Sequence, residues 1–377
     1  MPRSSVPQRA LRTVSLAGAL AIAVLASSPA QAQLPPVPLT AWNPVAAAEY
    51  LDARQAWWLT WATSARDHDT SCVSCHTSLP YALARPALRA ALHEAGTAAA
   101  ETEMLAGVRR RVMRWNEVAP FYPDQTVGLP KTSESRGTEA ILNALILANR
   151  DGARGRPTED MRRAFDNLWA LQFTRGEGIG AWAWLYFDLA PWESEGAAYF
   201  GAALAAVAVG MAPHDYAASP DIQERLDLLR AYLRDDAESR RPFDRVMLLW
   251  AGAEISDLVT VSEATAILTQ LTQLQNADGG WSLASLGEWR RQDGTSVDLA
   301  SDGYATGLVA FVLQRAGVSP AQDTLARALT WLVDNQDPDT GQWHAPSLNR
   351  DRDPTSDRGR FMSDAATGFA VLALTGG

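Results

Sequence analysis

Two cysteines three residues apart, followed at once by a histidine, are the residues of this chain best equipped for chemistry: Cys72, Cys75 and His76 in "TSCVSCHTSLPYALARP". They are the chain's two cysteines and one of its five histidines. Two thiols at this spacing can close a disulfide or cycle as a dithiol. They can contribute to a metal site, or they can add to the vinyl groups of a porphyrin while the adjacent imidazole takes the iron. Zinc asks for four protein ligands, or three with an open position, and no second cysteine cluster exists. A thioredoxin-like site needs a βαβ setting that the pattern lacks.

If the trio holds iron, a sixth ligand is to be sought. Met362 stands just ahead of the last apolar segment, His344 follows Trp343, and His68 precedes Cys72 by four residues. Met362 is the preferred distal ligand and His344 the alternative; a five-coordinate iron would imply ligand chemistry. Arg85 and Arg89, just beyond the motif, are candidates for pairing with haem propionates, since arginine is the preferred carboxylate partner. Glu139 and Asn143, four apart in an otherwise apolar run, are candidates for facing an internal cavity, and Trp42, Trp250 and Trp289 for lining one.

The elements that must position these residues are helical, and they repeat. "SCHTSLPYALA", "SRGTEAILNAL", "SEGAAYFGAAL", "SDGYATGLVAF" and "SDAATGFAVLA" align without gaps from Ser74, Ser135, Ser194, Ser301 and Ser363. Each opens an apolar, small-residue helix, with the serine read as N-cap and the acids beside it (Glu134, Glu195, Asp302 and Asp364) as partners of the positive helix end. A more amphipathic helix precedes each one. First helices are expected near 45–61, 97–117, 157–172, 219–235, 261–275 and 319–336, and second helices near 77–94, 135–149, 194–210, 242–255, 301–316 and 363–375. Helices apolar all round belong inside. An all-α, closed α/α toroid of six helix pairs satisfies both patterns. Pro86 is expected to kink or interrupt the first inner helix.

Between the helices run "LWALQFTRGEGIGAWAW", "LTQLQNADGGW" and "LVDNQDPDTGQW", with Gln172, Gln275 and Gln336 followed by glycine and by Trp182, Trp281 and Trp343. These motifs resemble the Gln-Trp repeats of the squalene-hopene cyclase (terpenoid cyclase) and protein prenyltransferase superfamily. The resemblance implies the same toroid, with a central cavity that holds an isoprenoid. The Asp-x-Asp-Asp run of the protonating cyclases is missing, as is the Asp, Cys and His zinc set of the prenyltransferases. The C-x-x-C-H motif resembles the attachment site of c-type cytochromes, which implies covalently attached haem c on Cys72 and Cys75 with His76 as proximal iron ligand.

The first 32 residues have a basic start, an apolar run too short to span a membrane, and a small-residue end: a secretory signal peptide. A Pro-rich lead (33–44) and the toroid (45–377) follow. Periplasmic export is expected, with no transmembrane segment. The formal charge of −10 falls further once three signal arginines are removed, which argues against a nucleic-acid partner. The expected function is therefore an exported haem protein engaged in electron transfer or haem-based redox chemistry, its partner a redox protein or a small apolar ligand. The alternative is an isoprenoid-binding or isoprenoid-processing toroid with a Cys72–Cys75 disulfide and no haem.

Overall fold

The computed structural model describes residues 37–376, so the expected signal peptide (1–32) and the first four residues of the Pro-rich lead lie outside the described residues. Six outer helices alternate with six inner ones. The outer set is α1 (Pro44–Thr60), α3 (Ala99–Met113), α6 (Glu159–Leu171), α8 (Gln223–Arg234), α10 (Val261–Leu274) and α12 (Asp323–Asp334). The inner set is α2 (Ser78–Ala91), α5 (Lys131–Gly152), α7 (Ala197–Met211), α9 (Pro242–Glu254), α11 (Gly303–Arg315) and α13 (Phe361–Thr375). A single extra turn, α4 (Asp124–Val127), precedes α5. Inner helices pack in chain order, and α13 packs back on α2, closing the ring.

Composition sorts the two sets. In α8 the buried Leu226, Leu229 and Leu233 recur every three or four residues, giving one apolar stripe against the ring and a charged face to water. In α7, "AAYFGAALAAVAVGM" is buried along nearly its whole length. Its small residues let neighbouring backbones approach: a Cβ added to Gly210 would lie 2.4 Å from the carbonyl oxygen of Glu254.

The Gln-Trp motifs form one staple used three times. Gln275 Nε2 donates to Gly279 O and Thr324 O, both at 2.8 Å. Gln336 Nε2 donates to Gly341 O and Asn43 O, both at 2.9 Å. Gln172 Nε2 donates to Gly180 O at 3.0 Å and Arg225 O at 2.9 Å. Each glutamine thus ties its own turn to the start of the next outer helix. The indoles of Trp182, Trp281 and Trp343 fold back and donate to Leu168, Leu271 and Leu332 carbonyls at 2.7, 2.8 and 2.7 Å. The glycine in each turn has positive φ, 92° at Gly180, 98° at Gly279 and 75° at Gly341, a region only glycine enters at no cost. Since Gln336 reaches Asn43, the last staple closes the ring.

Helix starts differ from the serine caps expected. Asp302 caps α11 by accepting from Tyr304 N and Ala305 N, both at 2.9 Å. Ser135 and Ser363 sit inside their helices, where Ser135 Oγ accepts from Tyr122 N and Ser363 Oγ from Ala345 N. Of the five serines, Ser74 behaves as a cap, accepting from Thr77 N and Ser78 N. Pro86 stays within α2, which runs on to Ala91 without interruption.

Aromatic side chains meet inside the ring. Trp250 of α9 lies edge-on to Phe311 of α11 at 5.2 Å and to Phe369 of α13 at 6.0 Å. Tyr304 lies 5.6 Å from Phe369 and accepts the indole N–H of Trp192 at 2.9 Å. Trp250 is therefore ring filling and not pocket lining. Where the resemblance implies an isoprenoid cavity, the inner helices direct large aromatic residues at one another.

Candidate functional site

A short ribbon delivers the cysteines. After α1 the chain forms β1 (Ala65–Arg66) and β2 (Thr70–Ser71), paired antiparallel, with His68 and Asp69 at positive φ in the turn. Two residues per strand are too few to show a period of two, so the ribbon left no alternation to read. Cys72 N donates to Ser64 O at 2.9 Å, and Cys72 O accepts the Trp58 indole at 2.8 Å. Arg111, fully buried on α3, ties the ribbon to the ring. It contacts Thr70 Oγ1 at 3.0 Å, Asp67 Oδ1 at 3.2 Å, and Glu139 of α5 at 2.5 and 3.0 Å. Glu139 is thus the partner of Arg111, while both amide atoms of the buried Asn143 lack a partner.

Cys72, Cys75 and His76 line one cavity of about 250 Å³ at a mouth of the ring, together with Met362. Both thiols are free and buried. Burial pushes Cys72 up to about 11, against the pull of Arg66, and Cys75 well above its ordinary value, with Glu193 and Cys72 adding repulsion. The His76 ring stacks on Phe361 at 3.9 Å and stands edge-on to Trp58 at 5.0 Å. Burial, aided by Arg54, lowers its pKa to about 3, so the imidazole is neutral. Nδ1 lies 2.8 Å from Thr77 Oγ1, and Nε2 is the ring nitrogen left for a ligand.

Behind Thr77 stands a buried cluster from both ends of the chain. Thr77 Oγ1 is 2.6 Å from Asp364 Oδ2, and Asp364 Oδ1 takes Tyr50 OH at 2.8 Å and Arg54 Nε at 2.7 Å. Burial pushes the Asp364 carboxyl up, and the Arg54, Thr77 and Tyr50 hydrogen bonds pull against it.

Other lining residues were not legible from the motif. Arg352 and Arg358 stand at the cavity, Arg358 over the Trp61 ring at 5.5 Å. Burial and the neighbouring Arg350 and Arg358 lower the Arg352 pKa. Neither arginine forms an ion pair among the described residues. Their signal was the arginine-rich "NRDRDPTSDRGR" directly before Phe361. Glu193 also lines the cavity, its carboxyl raised to about 7 by burial against the opposing pull of Lys131.

The remaining candidates lie elsewhere. Arg85 is tied to Asp52 at 3.0 Å and Glu94 at 2.7 Å, and Arg89 to Glu101, so neither arginine of α2 is available to the cavity. His344 and His68 do not line it. Trp42 packs on Trp343 at 5.9 Å, and Trp289 donates to Leu283 O at 2.9 Å.

No family model and no curated protein matches the chain. Solved structures similar to it include a wild-type glycosidase (12% identity, 88% of this chain and 96% of the other covered, TM-score 0.48). A glycosidase variant in complex with glucose aligns at 12% identity over the same shares, TM-score 0.47. A polysaccharide lyase aligns at 12% identity over 88% of each chain, TM-score 0.36. The alternating helices and their closed packing make the molecule an α/α toroid. The expected function, electron transfer or haem-based redox chemistry with a redox partner, is corrected: the similar solved structures are glycosidases and a polysaccharide lyase. Among the described residues, no group of three or more His, Cys, Asp and Glu side chains is placed to hold a metal ion by itself. The isoprenoid alternative is corrected as well: the inner helices bring Trp250, Tyr304, Phe311 and Phe369 into mutual contact. No helix among the described residues is long and apolar enough to cross a membrane.

Proposed function

We propose that this toroid is a scaffold that displays one covalently attached prosthetic group at its mouth, and that the group is haem c on Cys72 and Cys75. The observation that carries the reading is two free buried thiols, an imidazole with an open Nε2 and the Met362 thioether in the lining of one cavity. At about 250 Å³ the cavity is smaller than the roughly 300–1,000 Å³ of pockets that bury whole ligands. It suits a group anchored on one side and open on the other.

The residues present fit that group. A porphyrin brings its own nitrogen ligands and asks the protein only for axial ones, so the lack of a three-donor cluster does not count against it. Haem would supply a flat conjugated face and an iron centre. Cys72 and Cys75 would fix its edge, His76 would offer Nε2 as proximal ligand, and Met362 would be the distal candidate. Trp58 and Phe361 bracket the imidazole and exclude water from it. Arg352 and Arg358 would take the propionates, the role expected of Arg85 and Arg89. Attachment after export agrees with the signal-like residues 1–32, which makes the periplasm the proposed compartment. The three Gln-Trp staples support kinship with the squalene-hopene cyclase and prenyltransferase toroids at the level of the repeat.

A glycosidase activity does not carry over from the similar structures. Glycoside hydrolysis uses a pair of carboxyl groups, and Glu193 is the only carboxylate lining the cavity among the described residues. The test is production of the exported protein with a haem-attachment system, followed by a haem stain on a denaturing gel. A stained band that Cys72→Ser/Cys75→Ser abolishes is expected; an unstained native band overturns the proposal.

A further inference from the structure

We propose that Thr77 and Asp364 are positioning residues for His76, holding its ring as the tautomer that carries hydrogen on Nδ1 and presents a bare Nε2 to the cavity. The contacts fix the direction of every hydrogen bond. Arginine has donors and no acceptor, and Arg54 Nε and Nη2 lie 2.7 and 3.1 Å from the two oxygens of Asp364. The carboxyl group is therefore held as an acceptor. The Thr77 hydroxyl lies 2.6 Å from Asp364 Oδ2, the length of an O–H donated to a carboxylate. A hydroxyl has one hydrogen to give. Having given it to Asp364, the Thr77 oxygen can only accept, and the group 2.8 Å away is His76 Nδ1. That nitrogen must carry the hydrogen, which leaves Nε2 with the lone pair.

The arrangement spans the ring closure: Thr77 leads into α2, Arg54 lies on α1, and Asp364 on α13. Thr77 is 3% and Asp364 1% exposed, so water does not compete for these bonds. A bare Nε2 binds a metal or accepts a hydrogen bond, whereas the other tautomer would turn an N–H toward the ligand. The proposal deepens the haem reading, and rests on it only for what meets Nε2.

The test uses the full chain labelled with ¹⁵N-histidine and produced without haem-attachment machinery, where long-range ¹H–¹⁵N spectra report which ring nitrogen is protonated. His76 is expected as the Nδ1–H form in the native chain and in Thr77→Ser, and that single form is lost in Thr77→Val. Asp364→Asn is the second variant: its new amide donates to Thr77, freeing the hydroxyl to donate to Nδ1 and moving the imidazole hydrogen to Nε2. An Nε2–H form in the native chain, or an Nδ1–H form kept in whichever of Thr77→Val and Asp364→Asn folds, overturns the proposal. Because the protein is haem-free, a failed haem stain and a failed tautomer assignment are separate results.

Discussion

Replacing Glu139 with alanine isolates what holds the cysteine-bearing ribbon to the ring. Glu139 and Arg111 are both 0% exposed, and their two hydrogen bonds measure 2.5 and 3.0 Å. The same guanidinium holds Thr70 Oγ1 and donates to Ala119 O at 2.7 Å. A guanidinium cannot shed its charge, so the substitution leaves a buried cation; breaking such a pair costs about 3–5 kcal/mol. Asp67 remains 3.2 Å away but its side chain is 32% exposed, so it offsets little, and a loss of about 3 kcal/mol is expected. Against a total stability of about 5–15 kcal/mol that is a large fraction. Urea unfolding followed by circular dichroism reads it as a lower midpoint with an unchanged slope. Arg111→Met/Glu139→Leu removes both charges and should recover most of the loss. A loss under about 1 kcal/mol, or a double variant no better than the single, would refute the reasoning.

Three other outcomes follow from the same structure. Gln336→Ala removes the bonds to Asn43 and Gly341 that close the ring. It should cost about 1–3 kcal/mol in urea unfolding, and a cost below about 0.5 kcal/mol would show that closure does not depend on it. Glu193 has its pKa raised by burial from 4.5 to about 7, so in that window the folded state keeps a proton the unfolded chain has released. Native stability should therefore fall relative to Glu193→Gln as pH rises from about 4.5 to 7, by roughly 1–3 kcal/mol. A difference that is constant or of opposite sign contradicts the burial of that carboxyl. Finally, with the thiols pushed up by burial, iodoacetamide should alkylate Cys72 and Cys75 in the folded, haem-free chain at least ~100-fold more slowly than in urea. Equal rates would mean that they are open to solvent.

The helix pairs were legible because amphipathic and all-apolar segments alternate strictly, and each expected helix overlaps an observed one. The staples were legible because glutamine, glycine and tryptophan recur at fixed order. The serine caps were not legible: Ser135 and Ser363 are aligned in sequence but lie within the first turns of their helices, where each accepts from the loop that joins the outer and inner helix of its own pair. Arg85 and Arg89 were close to the motif in sequence yet are drawn off by Asp52, Glu94 and Glu101. The groups that do surround the cysteines come from α1, from the loops before α5 and α7, and from the far end of the chain. Asp364 looked like a helix-end partner, and only ring closure, which sets α13 beside α2, reveals it as the anchor of Thr77. Glu193 had no motif at all; its position follows from the bridge between Leu189 and Glu193 that folds that loop over the mouth.

The most direct measurement is the intact mass of the exported protein produced with a haem-attachment system. A single added haem, localised by peptide mapping to the segment containing Cys72 and Cys75 and absent from Cys72→Ser/Cys75→Ser, is the predicted result. A chain at its bare polypeptide mass, with the two cysteines as free thiols or as a disulfide, would contradict the account.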